Sequence, residues 1–419
     1  MALSPRRPLE SRQVVVTSTA ILSPLAEDPE GLFEALLKGC SGVRRGANGV
    51  SAAWLDSFEL EAWTERHLAD DPAKGVHLRR VAGRASRPVQ TAVCVATAAL
   101  RGTQIVSRQR TGFLIAGANL ALEHHASAVL DYERRPGGLL ASYALTHMDV
   151  DITGAVSEVT GIHREGWSVG GGSAAGALAV GEAFRLIRTG MLDRCLVVAP
   201  VAELAAAELE AFVRAGAMAD IEPDEVPAQV CRPFDVNRRG FVYGQAAAAV
   251  LLEDASTAAA QGATPIAEVV GYSQTLDGRR GTEPDSNGQL AAIRQALQAS
   301  GVAADEVDYV NTHGTGSVLG DAIEARTLGS AFGDGRPLVN STKPFTGHCL
   351  SATGVVELIA TLLQMKAEVC HPNLNLHEPI ANDVIFAGPN PVAHPIRFAM
   401  STNYAFGGIN AALLLRRIA

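Results

Sequence analysis

The chain has 419 residues, 47% of them hydrophobic, enough for a large core and for two or more structural units. Its 35 basic and 44 acidic residues leave a formal net charge of −9, a balance that gives no sign of nucleic-acid binding. Six cysteines, at 40, 94, 195, 231, 349 and 370, form no CxxC pair and no metal-ligand spacing, so reduced thiols in a cytoplasmic protein and no bound metal are expected.

The start, residues 1–12, is polar, carries Pro5 and Pro8, and lacks the apolar core of a signal peptide. No apolar run of 18 residues is read in the chain, so no membrane span is expected. Residues 14–16 (Val-Val-Val) form a short buried-strand run, broken at Ser23-Pro24. Residues 28–39 follow as a helix with Leu32, Phe33, Leu36 and Leu37 as its apolar set. Residues 43–82 read as an irregular insertion. Residues 88–100 are a helix rich in Ala and Val, and 111–117 a strand ending in glycine. Residues 142–161 hold two short helical pieces.

A strand over 165–170 then runs into Gly170-Gly171-Gly172-Ser173, and a small-residue helix follows over 174–187. Glycines at such a junction permit a tight strand-to-helix turn. Ser173 would stand at the helix N-terminus, where unpaired N–H groups and the helix dipole favour negative charge. That suits an oxyanion or a nucleophile, and equally a plain N-cap. Residues 195–200 are a strand. Residues 241–253 are a turn followed by a buried strand, and 255–262 are a small-residue connector.

The order of elements then begins again. Strands are read at 266–270, 307–311 and 397–401, and helices at 287–300 and 351–365. Ser173-Ala-Ala-Gly176 opens a helix in the first half and Ser351-Ala-Thr-Gly354 opens one in the second. The likeness suggests a duplicated α/β unit, with one half over 1–255 and the other over 256–419.

The second half carries the densest chemistry. His313 follows a strand in the turn His313-Gly-Thr315-Gly-Ser317, and Asp321 and Glu324 come shortly after. The hydroxyls of Thr315 and Ser317 suit hydrogen bonds to an extended polar ligand. His348 stands five residues after Lys343, with Glu357 nine residues further on.

Together these stretches resemble the β-ketoacyl synthases of the elongating type. Arg12-Gln-Val-Val-Val-Thr resembles the family's opening strand, and Arg232-Pro-Phe-Asp-Val-Asn-Arg-Arg-Gly240-Phe its R-P-F-D-x-x-R-D-G-F stretch. The His313 segment resembles H-G-T-x-T-x-x-G-D-x-x-E, with Ser317 for the second threonine. The Lys343 segment resembles S-x-K-x-x-x-G-H, and Tyr404-Ala-Phe406-Gly-Gly-Ile-Asn410 resembles F-G-F-G-G-T-N. The resemblance implies a thiolase fold, an α/β arrangement of five layers (α-β-α-β-α) in two similar halves. It also implies a homodimer in which the strand at 165–170 pairs with its twin.

Two positions depart from the family pattern. Ser173 stands where the family's T-A-C-x-S-G places its cysteine nucleophile, and Gln245 replaces the glutamate of G-E-G-A-G. A thiol at a helix N-terminus becomes a thiolate near neutral pH, whereas a serine hydroxyl needs an adjacent base. Decarboxylation of a malonyl thioester, the other half of the family's reaction, needs no nucleophile. The resemblance gives His313 and His348 the task of stabilising the enolate, and the backbone N–H groups of Ser173 and Phe406 the oxyanion hole. It places Lys343 in the supporting network, with Asp321, Glu324 and Glu357 as acidic members. A synthase with both histidines and no cysteine resembles the stand-alone decarboxylases of polyketide β-branching, which turn malonyl on an acyl carrier protein into acetyl. The substrate then rides on the carrier's phosphopantetheine, contacted by Thr315 and Ser317, and the protein itself binds no cofactor. Arg44, Arg45, Arg79, Arg80, Arg134 and Arg135 are candidates for docking an acidic carrier. Two other readings remain: an acyltransferase using Ser173 as nucleophile, and a non-condensing partner resembling a chain-length factor.

Overall fold

The computed structural model describes residues 12–47, 49–103, 110–333 and 337–418; residues 1–11 of the polar start lie outside them. Eleven strands are joined edge to edge: Val14–Leu22 (β1), Thr111–Ala116 (β2), Glu165–Val169 (β3), Arg194–Ala199 (β4), Ala247–Asp254 (β5), Ala267–Leu276 (β6), Tyr309–Asn311 (β7), Leu338–Asn340 (β8), Ile385–Phe386 (β9), Phe398–Ala405 (β10) and Ile409–Arg417 (β11). Their order is β9-β8-β7-β10-β11-β6-β1-β5-β4-β2-β3. The seam between halves is short: Val14–Val16 of β1 pair antiparallel with Ala267–Val269 of β6. On one side lie β1, β5, β4, β2 and β3; on the other, β6, β11, β10, β7 and β8, with β9 beyond.

Six helices complete the layers: Arg87–Ala99 (α1), Val150–Thr160 (α2), Ala175–Arg188 (α3), Ser286–Ser300 (α4), Val318–Phe332 (α5) and Thr353–Ala367 (α6). Helices α1 and α2 cover the outer face of the first half-sheet, and α4 and α5 that of the second. Helices α3 and α6 lie between the half-sheets. This is the thiolase fold of five layers that the sequence led us to expect.

The alternation of strand side chains builds these layers. Strand β5 sends Ala248, Val250 and Leu252 into the central core and Ala247, Ala249 and Leu251 into the outer one. With both faces covered, it reads as an unbroken apolar run. Helix α6 is in the same position. The stretch Leu350–Ala367 has the length of a membrane span and a mean hydropathy of 1.2, which corrects the expectation that no such run exists. It is 78% buried inside the protein, and a helix flanked by two sheets must be apolar on every side.

The repeated helix openings meet in space. A Cβ added at Gly176 would lie 2.8 Å from the Val355 nitrogen, and one at Gly354 would lie 2.4 Å from the Ala177 nitrogen. The first turns of α3 and α6 therefore touch backbone to backbone.

The insertion at 43–82 is more regular than expected. Helices Leu60–His67 and Pro72–Ala82 occupy half of it, and Asp71 caps the second by accepting from the Lys74 N–H. Asp71-Pro72 is a helix-start signal for the second of them that the sequence reading did not use. Helix Leu122–Arg134, also unread, fully buries none of its residues. The connector at 255–262 contains the short helix Ala255–Ala260, capped by Asp254. All six cysteines are free thiols, and all but Cys40 are buried.

A side chain at the helix crossing must push α3 and α6 apart. Gly176→Val or Gly354→Val should destabilise the fold by about 1–3 kcal/mol or more, as core overpacking does. Denaturant midpoints would check this; an unchanged midpoint for both variants would contradict the close approach.

Candidate active site

Ser173 sits on the short turn Gly172–Ala174 that leads directly into α3. The turn needs Gly172, whose φ of +53° is left-handed. Ser173 Oγ lies 2.9 Å from His348 Nε2.

The other side of the His348 ring fixes its tautomer. Nδ1 accepts the backbone N–H of Leu350 at 3.3 Å and lies 3.0 Å from Thr353 Oγ1. A backbone N–H can only donate, so Nδ1 carries the lone pair and Nε2 carries the hydrogen. Leu350 presents that N–H from a left-handed conformation, φ +52°, which costs a non-glycine residue roughly 1–2 kcal/mol. His348 therefore donates to Ser173 Oγ and is not a base towards it.

His313 follows β7 and packs edge-on against His348, with ring centroids 5.5 Å apart. Its turn is shaped by two buried carboxylates. Glu324 on α5 accepts the N–H groups of His313 (2.8 Å) and Gly314 (2.7 Å). Asp321 accepts those of Thr315 (3.1 Å), Gly316 and Phe234 (2.8 Å). Burial pushes Glu324 up to about 8 and Asp321 up to about 6, with the backbone bonds opposing.

Lys343 joins the two histidine loops from below. Its Nζ donates to Glu357 Oε1 at 2.5 Å and to the carbonyl of His313. Asn403 Nδ2 donates to Glu357 Oε2 at 2.7 Å. Lys343 and Glu357 are each 1% exposed, so the pair is fully desolvated. Burial raises the Glu357 carboxyl, and Lys343 pulls it back. Of the three expected acidic members, Glu357 alone meets Lys343; Asp321 and Glu324 hold backbone instead. Spacing in sequence could not separate these roles, because all three carboxylates follow a histidine on a helix.

Burial drives both histidines well below their ordinary pKa, and the Lys343 charge adds to it; for His313 so does His348. Two neutral rings thus face a cavity of about 510 Å³ whose wall includes Ser173, His313, His348, Thr315, Ser317 and Phe406. Asp321 and Glu324 border it as well, and of the expected site residues Lys343 and Glu357 lie behind its wall. Thr315 Oγ1 accepts the Ser317 N–H (3.2 Å), and Ser317 Oγ caps α5 by accepting the Gly320 N–H (2.9 Å), so both hydroxyls serve the turn while lining the cavity. Phe406 is 47% exposed at the cavity and packs near Phe212, ring centroids 6.3 Å apart.

Sequence reading missed Leu350, Thr353 and Asn403. Thr353 had a signal, since it stands on the helix that begins just after His348. The six arginines proposed for docking do not line this cavity; Arg44 pairs with Asp56, Arg80 with Glu158 and Arg134 with Asp131. Gln245 lies outside the cavity too. It accepts the Leu55 N–H at 3.1 Å and borders a separate hollow that contains Glu203 and Arg87. Burial already pushes Glu203 up to about 7 there. A glutamine avoids a second buried carboxylate beside one arginine.

Two histidines and a helix N-terminus around one cavity, on a thiolase fold, define a ketosynthase-like site. Residues 11–258 match the family described as beta-ketoacyl synthase, N-terminal domain, and residues 266–377 its C-terminal domain. The chain belongs to the β-ketoacyl synthase family. It is 34% identical over 411 residues to the polyketide biosynthesis malonyl-ACP decarboxylase PksF of Bacillus subtilis, covering 97% of each chain. It is 31% identical to the 3-oxoacyl-[acyl-carrier-protein] synthase 2 of Mycobacterium tuberculosis, covering 96% of this chain and 97% of that one. A β-ketoacyl synthase from Burkholderia phymatum superposes with a TM-score of 0.85 at 27% identity, over 97% of this chain and all of that one.

The depressed histidines set a pH dependence. Their folded pKa lies below the unfolded value of about 6.5, so the unfolded chain binds more protons in acid. Stability should be full above pH 6.5 and fall as the pH drops through that value towards the folded pKa. NMR of His313 and His348 should find both rings neutral at pH 6. Lys343→Met should raise both pKa values and cost about 3–5 kcal/mol, because it strands Glu357. Unchanged histidine titrations in that variant would remove Lys343 from the electrostatic account.

Proposed function

We propose that the protein decarboxylates malonyl carried as a thioester on the phosphopantetheine of an acyl carrier protein, and releases acetyl on the same carrier for polyketide β-branching. The observation that carries this reading is the tautomer of His348. With hydrogen on Nε2, His348 is a donor aimed at the place where a thioester oxygen would become negative. Loss of CO₂ pushes the bond electrons of the malonyl carboxylate onto that oxygen. His348 and His313, both neutral donors in a buried cavity, stabilise the enolate more than the ground state. The backbone N–H groups of Ser173 and Phe406 form the oxyanion hole in this scheme. The hydroxyls of Thr315 and Ser317 hold the phosphopantetheine arm.

An acyltransferase using Ser173 would need the opposite tautomer, with Nε2 free to take the serine proton. The Leu350 N–H opposes that arrangement. A non-catalytic partner would have no use for neutral, charge-supported histidines. PksF carries the decarboxylase name at 34% identity, whereas the relative from M. tuberculosis is named a synthase, and the serine in the place of the nucleophilic cysteine favours the first. The edge strand β3, with Trp167 38% exposed, is the surface on which two copies would pair as a homodimer.

Malonyl-loaded carrier protein incubated with the enzyme should lose CO₂ and gain an acetyl mass. His313→Ala and His348→Ala should each lower the rate by about 10²–10³, the usual cost of a lost oxyanion donor. Ser173→Ala should lose no more than about tenfold, or about 1.4 kcal/mol of barrier, because CO₂ loss does not pass through its hydroxyl. Intact-mass detection of an acyl-Ser173 intermediate, with Ser173→Ala inactive, would overturn the nucleophile-free mechanism.

A further inference from the structure

We infer that Ser173 supplies the proton that turns the enolate into the acetyl product; the inference rests on the malonyl reading above. Decarboxylation leaves an electron pair shared between the thioester oxygen and the adjacent carbon, C2. No acetyl forms until C2 takes a proton, and the histidines are spent on the oxygen. The donor is then another group on the cavity wall, or water that enters it.

Ser173 is placed for it. In the free protein Oγ accepts the His348 Nε2–H at 2.9 Å. Its own hydrogen is then free to turn into the cavity. Bound substrate takes over the Nε2–H with its thioester oxygen, which brings that oxygen and Ser173 Oγ to the same nitrogen. C2 is two bonds from the oxygen, so it falls beside Oγ, within the reach that proton transfer requires. Other hydroxyls of the wall are less suited. Ser351 and Tyr404 bury their oxygens, and Thr282, Thr315 and Ser317 on the same wall have no described bond to either histidine, whereas Ser173 Oγ is bonded to the His348 Nε2–H.

The step balances. The Oγ–H bond breaks and the C2–H bond forms, while the enolate double bond returns to a thioester carbonyl. A thioester enolate is a stronger base than an alkoxide, so the transfer runs downhill. The charge left on Oγ lies at the N-terminus of α3, next to the His348 Nε2–H. Water then returns the proton to Oγ, and the hydroxide formed combines with CO₂ as bicarbonate.

The test is a competition in equal parts of H₂O and D₂O. Malonyl carrier is turned over once, and the H-to-D ratio in the acetyl group is read by mass spectrometry. The deuterium already exchanged into unreacted malonyl carrier is measured in the same sample and subtracted. Wild-type protein should give a ratio fixed by transfer from one serine hydroxyl. Ser173→Ala and Ser173→Gly should shift that ratio to the value for direct protonation by water, with slower turnover. Ser173→Cys, a stronger acid in the same place, should recover rate over Ser173→Ala and give a third ratio. Identical ratios in wild type, Ser173→Ala and Ser173→Gly would overturn the proton-donor role while leaving the decarboxylase standing. Failure of wild type to form acetyl carrier at all would overturn both.

Discussion

The buried pair of Lys343 and Glu357 is the contact on which the site depends. Two charges removed from water are expensive, and such a pair is weak support for stability alone. Its worth here is positional and electrostatic. Through Lys343 it holds the His313 carbonyl, through Glu357 it anchors α6, and through Asn403 it ties in β10. The two imidazoles are kept neutral by burial, and the cation behind them adds to it. A neutral histidine donates without carrying its own charge into the cavity, so the field is set before substrate arrives.

The two halves divide the work. The first brings Ser173 at the start of α3; the second brings both histidines and the lysine. They meet where Gly176 and Gly354 let the helices touch, one turn beyond Ser173 and shortly after His348. The internal likeness of the chain is thus more than a trace of duplication. Equivalent helix openings, facing each other, place unlike chemistry on one cavity.

Much of this was open to reading in the sequence. Ser173, His313, Lys343 and His348 all stand at Gly-containing turns between a strand and a helix, where side chains emerge at the end of a sheet. The fold followed from motifs that span the chain. What stayed hidden depends on the third dimension. Nothing in the residue type of Leu350 announces a left-handed backbone, yet that conformation sets the His348 tautomer. Glu324, Asp321 and Glu357 look alike along the chain and separate only when α5 and α6 are placed.

The seam between the half-sheets has a consequence for how the protein is made. Strand β1 opens the described chain, but one of its edges waits for Ala267–Val269. Helix α3 must likewise remain uncovered on one side until α6, far later in the chain, packs against it. Contacts of such sequence separation form late and slowly. During synthesis the first half therefore exposes an apolar helix and an open strand edge together, the features that favour misassembly. The cavity is the last thing to exist: it closes only when the final third of the chain has been delivered, and every earlier species is both inactive and sticky.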